Sequence, residues 1–137
     1  MIHILHHLSY VPVIIITVIG FVFGALWYSK LLFSNAWREE VKLTEEQCKA
    51  GSFKKMFVAF LGTFVLTAVI DAFLVLRGTE GLLGGAKMGL LIGVGIVAAV
   101  QGPGLLFEGR TCKYRAIVIG HNVLLCVLVA ALLGAYR

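Results

Sequence analysis

Charge is scarce in this sequence. Asp, Glu, Lys and Arg make up 14% of its 137 residues, while apolar side chains make up 60%. A soluble domain averages about 25% charged and about 45–50% apolar. A chain this short leaves too much surface exposed to hide such an excess in one core. The composition therefore excludes a soluble enzyme and a disordered tail. Cysteine is also sparse: three residues, with no Cys-x-x-Cys spacing, exclude a disulfide scaffold and a zinc site. No phosphate loop or activated nucleophile is visible, and Ser9, Ser29, Ser34 and Ser52 have no neighbour in sequence that would activate them. The expectation is a chain with no catalytic residues, no metal and no cofactor.

What the sequence does have is long apolar runs. A spanning helix needs roughly 20 mostly apolar residues, and four stretches qualify: Leu8–Ser29, Met56–Leu76, Met88–Phe107 and Ala116–Tyr136. Only the second holds a charged residue, Asp71. The runs are continuous rather than alternating, which argues for helices and against a β-barrel. The first is not a signal peptide, because its first basic residue, Lys30, follows the apolar run and the run ends on the interfacial pair Trp27-Tyr28. The connections Gly78–Gly85 and Glu108–Arg115 are short, as between antiparallel neighbours. In the longer first loop, Thr44-Glu45-Glu46-Gln47 fits a capping box and Gly51 a helix stop, so a short amphipathic helix is expected there, with Trp37 at the interface. The expected fold is all-α: one polytopic membrane domain over residues 1–137, an antiparallel bundle of four transmembrane helices.

Basic residues give the orientation. Lys30, Arg38, Lys42, Lys49, Lys54 and Lys55 lie in the first loop and Arg110, Lys113 and Arg115 in the third, leaving Arg77, Lys87 and Arg137 for the opposite face. The positive-inside rule places loops one and three in the cytoplasm and both termini outside. Cys48 and Cys112 then lie on the reducing side. The net charge of +5 is interleaved with Glu39, Glu40, Glu45 and Glu46, which suits anionic lipid headgroups rather than nucleic acid.

A series of motifs runs through these segments: Gly24-Ala25-Leu26-Trp27-Tyr28-Ser29, then Phe33 and Trp37; Leu43-Thr44-Glu45-Glu46; Leu106-Phe107-Glu108-Gly109-Arg110; and Gly120-His121 with Gly134. The series resembles the membrane-protein family known as domain of unknown function (DUF) 1761, over nearly the whole chain. That resemblance implies a four-helix integral membrane protein, in many cases bacterial, which suggests an inner (plasma) membrane location; it carries no activity. In the family pattern a proline often follows the Trp-Tyr-Ser triplet, where this chain has Lys30.

Polar side chains at membrane depth each need an explanation. Asp71 lies near the outer end of its helix and Lys87 opens the next, so an Asp71–Lys87 ion pair is expected; the sharper reading is a proton or cation site. Gln101, His121 and Asn122 lie at one depth near the cytoplasmic side, with Tyr28 ending the first helix there. Between them stands Gly102-Pro103-Gly104, where Pro103 frees backbone carbonyls and a bend near Ala99–Pro103 is expected. Either His121 or Asn122 donates to the freed carbonyls, or the layer forms a small pocket for a ligand or lipid headgroup. His3, His6 and His7 have helical spacing but read as a solvated terminus. Gly20 and Gly24, and the stripe Gly85, Gly89 and Gly93, are small residues that let helices approach closely, within the chain or in a homo-oligomer.

Two functions fit. The first is a non-enzymatic accessory or packing subunit, with a second copy or a partner membrane protein. The alternative is a small transporter or channel for a proton, ion or small solute, using Asp71 and a kinked third helix.

Overall fold

The computed structural model describes residues 10–29, 34–41 and 52–137. The helices are α1 (Tyr10–Trp27), α2 (Ser34–Val41), α3 (Ser52–Arg77), α4 (Leu82–Ile92), a π-helical segment (Gly93–Ala98), α5 (Ala99–Phe107) and α6 (Cys112–Tyr136). Four stretches are long and apolar enough to cross a membrane: Tyr10–Trp27, Phe53–Arg77, Leu82–Phe107 and Cys112–Tyr136. The protein is all-α, with no strand among the described residues. In hydrocarbon only helices and closed barrels satisfy their own backbone groups, so continuous apolar runs are helical for the same reason that they are in lipid.

Local chemistry sets the helix ends. Pro12 sits in the first turn of α1, where its missing N–H would have had no partner in the helix. Thr111 caps α6 by accepting from the Tyr114 N–H at 3.1 Å. Gly78, Gly81 and Gly109 take positive φ to close the two short connections. Helices α3 and α6 begin about a turn before their uncharged runs, at Ser52 and Cys112. Their first turns carry Lys54, Lys55, Lys113 and Arg115, whose long stems reach from helix to water. The third span likewise begins at Leu82, so Lys87 lies inside it instead of opening it.

The surface helix of the first loop is α2, which contains Trp37 and precedes the expected capping box. Thr44–Gln47, Cys48 and Gly51 fall outside the described residues, as do Lys30 and the three N-terminal histidines.

The last helix is the hub. α6 packs against α1, α3 and α4, whereas α3 and α4 scarcely touch each other. The dry core draws Val13 and Ile16 from α1, Ile70 and Leu74 from α3, Ile92 from α4, and Leu125, Cys126, Val129 and Leu133 from α6. The closest seam lies between α4 and α6. A Cβ on Gly85 would collide with the carbonyl of Ala130, one on Gly89 with the backbone of Cys126 and Val127, and one on Gly93 would lie 3.1 Å from the Val123 Cα. Contacts thus advance along one helix as they recede along the other. Gly134 completes the seam: its carbonyl accepts from the Gly81 N–H at 2.8 Å, and a Cβ there would strike Gly85. Gly20 of α1 is tight against Leu125 and Thr63 side chains.

The seam predicts a contrast between two glycines. Gly89→Ala must push two backbones apart and should cost about 1–3 kcal/mol, the usual penalty for overpacking. Gly62→Ala meets nothing within 4 Å and should be neutral or stabilising. Thermal unfolding of both variants in lipid nanodiscs checks this; equal melting temperatures would contradict the packing.

Candidate functional site

Two polar centres interrupt the apolar interior, at opposite ends of the bundle. At the end that holds the α3–α4 turn, Asp71 is 1% exposed. Its Oδ1 accepts from Arg137 twice, from Nη2 at 2.6 Å and from Nε at 3.0 Å. Oδ2 is buried with no partner among the described residues. The expected Asp71–Lys87 pair is therefore corrected: Arg137 holds Asp71, and Lys87 is exposed. The reason lies in the glycine seam. Gly85 and Gly89 face α6, and a residue two positions after Gly85 lies about 200° round the helix from it, so Lys87 points away from α6. Arg137, the C-cap of α6, reaches Asp71 instead.

At the other end, side chains from two spans form a chain of hydrogen bonds. Asn122 Nδ2 donates to Gln101 Oε1 at 2.8 Å, and His121 Nδ1 lies 2.9 Å from Asn122 Oδ1. The His121 ring is set among aromatics. It stacks on Phe23 (5.6 Å between centroids, 10° between planes) and lies 5.2 Å from Tyr28 and 6.1 Å from Trp27. Trp27 also donates its indole N–H to the Ile117 carbonyl at 3.1 Å, fastening α1 to α6. Gly24 makes room for the imidazole: a Cβ there would lie 3.1 Å from His121 Nε2. That nitrogen is buried and has no hydrogen-bond partner among the described residues.

The expected capping of carbonyls freed by Pro103 is also corrected. Asn122 donates to the side chain of Gln101, and His121 turns to Asn122. Helix α5 continues through Gly102, Pro103 and Gly104, and none of the two glycines' added Cβ atoms would meet a neighbour. The departure from α geometry comes earlier, at Gly93–Ala98. Its effect is rotational. A stripe repeating every four residues drifts about 40° per step in an α-helix, so Gln101 would lie about 160° from Gly85. A π-turn holds an extra residue, which takes back about 100° of that drift. Val97 accordingly packs against the core, and Gln101 meets Asn122.

Beside His121 opens a cavity of about 630 Å³, between α1, α3 and α6 and under α2. Its lining is mainly apolar, with Phe21, Ala25, Met56, Ala59 and Val118 beside the single hydroxyl of Thr63; its mouth holds Tyr28, Trp37, Arg38, Lys55 and Tyr114. Gln101 and Asn122 are not among its lining residues. Among the described residues, no group of three His, Cys, Asp or Glu side chains is placed to hold a metal ion.

The family described as "Protein of unknown function (DUF1761)" matches residues 11–134. This chain belongs to the DUF1761 family. The match takes in all but the outermost residues of the four spans, the aromatic setting of His121 and both members of the Gln101–Asn122 bond, but stops short of Arg137. No curated protein and no solved structure matches the chain. Several residues of this DUF1761 chain escaped sequence reasoning. Arg137 counted only as an outer charge, Arg38 only as a first-loop charge and Trp27 only as an interfacial anchor, and Phe23 carried no signal of its own. Trp27 and Phe23 lie one turn apart on α1, and Gly20 and Gly24 mark the same helix; that proximity was the available signal.

The ion pair yields a prediction. Asp71→Asn leaves Arg137 without its partner and should cost stability, whereas Asp71→Leu with Arg137→Met should recover most of the loss, because removing both members of a buried pair is often neutral. Lys87→Met should change nothing. Chemical unfolding of the four proteins in detergent checks the pattern; a penalty for Lys87→Met equal to that for Asp71→Asn would restore the Lys87 pairing.

Proposed function

We propose that this DUF1761 chain is a non-enzymatic integral membrane protein that acts as an accessory or packing subunit, with a second copy or another membrane protein against its third span. The observation that carries this reading is the separation of the two polar centres. His121 on α6 and Arg137, which caps that helix, are sixteen residues apart, about 24 Å at helix rise. The buried residues between them on α6 are Leu125, Cys126, Val129, Ala130, Leu133 and Gly134, backed by Ile70, Leu74, Val13 and Ile16. A conducting path needs polar groups across that distance. The buried hydroxyls in the core are committed locally: Thr17 donates to the Val13 carbonyl at 2.6 Å and Thr67 to that of Thr63 at 2.8 Å.

The third span supports a packing role. It contacts its own chain mainly along the α6 seam, and Leu83, Leu90, Leu91, Val94 and Val100 are exposed along the rest of it. The transporter reading, in which Asp71 is a coupling carboxylate, is weaker because that carboxylate is occupied by Arg137. The charge distribution supports loops one and three in the cytoplasm, and membership of the DUF1761 family supports a bacterial inner-membrane location. Cys112, which is exposed, should then resist an impermeant thiol reagent in intact cells and react after lysis.

Native mass spectrometry from nanodiscs tests the proposal. A second polypeptide, a copy or another chain, should accompany the protein reproducibly. A bare single copy, together with proton or ion flux into proteoliposomes that Asp71→Asn abolishes, would overturn it.

A further inference from the structure

The cavity beside His121 has a chemistry that the packing role does not use. Two buried nitrogens, Arg38 Nε and His121 Nε2, have no hydrogen-bond partner among the described residues, and both residues line this one cavity. A buried polar group left unpaired is costly, so two on residues of one cavity point to what should fill it. Arg38 is held in place by its own helix, donating from Nη2 to Asn35 Oδ1 at 2.6 Å. Its Nε–H is a donor only. His121 is oriented by the hydrogen-bond chain behind it: with Nδ1–H donating to Asn122, the neutral ring offers Nε2 as an acceptor.

The remaining walls narrow the class of ligand. Lys55 also stands at the mouth, and no carboxylate is among the described lining residues. Gly20, Phe21 and Ala25 extend the cavity inward along α1; from Tyr28 to Gly20 is eight residues, about 12 Å of helix. A volume of about 630 Å³ falls within the roughly 300–1,000 Å³ of small-molecule sites. The mouth calls for an acidic oxygen headgroup and the inner wall for hydrocarbon.

We propose that this cavity binds an acidic amphiphile, a single hydrocarbon chain ending in a carboxylic or phosphate headgroup. One headgroup oxygen accepts from Arg38. The acid's own proton meets Nε2 of His121, either as an O–H···N hydrogen bond or transferred to leave imidazolium and an anion. The chain lies along Phe21, Ala25, Met56 and Val118. Gly24 is required because any side chain there would crowd Nε2.

The test uses the full chain in phosphatidylcholine nanodiscs and measures displacement of a photoactivatable fatty acid. Oleic acid should compete, oleyl alcohol and inorganic phosphate should not, and phosphatidylglycerol nanodiscs reveal whether a bilayer lipid supplies the same headgroup by reducing labelling. Arg38→Gln and His121→Phe should each weaken labelling by about tenfold or more, as expected for loss of a charge-assisted hydrogen bond, with melting temperature recorded for each variant. Arg38→Gln lies on the surface helix and keeps the bundle intact if His121→Phe does not. Labelled peptides should map to α1 or α6. Equal competition by oleyl alcohol, labelling untouched by Arg38→Gln, or binding of phosphate alone would each overturn the proposal.

Discussion

Everything else in this molecule hangs on how closely two backbones approach. Within lipid there is no hydrophobic drive to bring helices together, so dispersion contacts between close backbones carry association. Gly85, Gly89 and Gly93 let α4 and the π segment lie against the α6 main chain at Ala130, Cys126 and Val123. That seam fixes the register of the third and fourth spans. It turns Lys87 outward, leaves Asp71 to Arg137, and sets Gln101 level with Asn122. With α6 so placed, α1 docks on it through Gly20, Gly24 and Trp27.

Polar groups in this setting have few choices, because an unpaired one in hydrocarbon costs several kcal/mol. The chain answers in three ways. Threonines return their hydroxyls to their own helices. Asp71 takes a guanidinium donating two hydrogen bonds to one oxygen, although such a pair repays its desolvation only in part. Gln101, Asn122 and His121 satisfy one another in series. What is left over among the described residues is one oxygen of Asp71, Nε of Arg115 and, on residues that line the cavity, nitrogens of Arg38 and His121. Asp71 is already held by Arg137, whereas Arg38 and His121 both line the cavity, and that contrast marks the cavity end as the one suited to binding.

The four spans were legible in sequence because apolar composition over some 20 residues leaves little alternative in lipid. The depth of the Gln101–His121–Asn122 level was legible too, since helix rise converts residue counts into depth. Azimuth was not. Which residue faces Asp71 depends on rotation of α4 about its axis, and that rotation is set by a glycine seam whose partner helix the sequence does not name. The π segment was equally hidden: Gly102-Pro103-Gly104 drew the eye as a break, yet the ladder changes at Gly93–Ala98, where only Gly93 and Gly95 hint at it. Helix ends shifted because charged first turns at Lys54 and Lys113 stay helical in the interface, beyond the apolar run that defines a span.

The seam itself is open to direct measurement by solid-state NMR in lipid bilayers. With glycine Cα and cysteine carbonyl carbons labelled, no glycine adjoins a cysteine in sequence, so a short-range carbon–carbon cross-peak reports contact between helices. Gly89 lies against the Cys126 backbone, and a strong cross-peak that disappears in Cys126→Ser is the predicted result. Its absence in well-resolved spectra of the folded protein would contradict the close approach of the third and fourth spans on which this account rests.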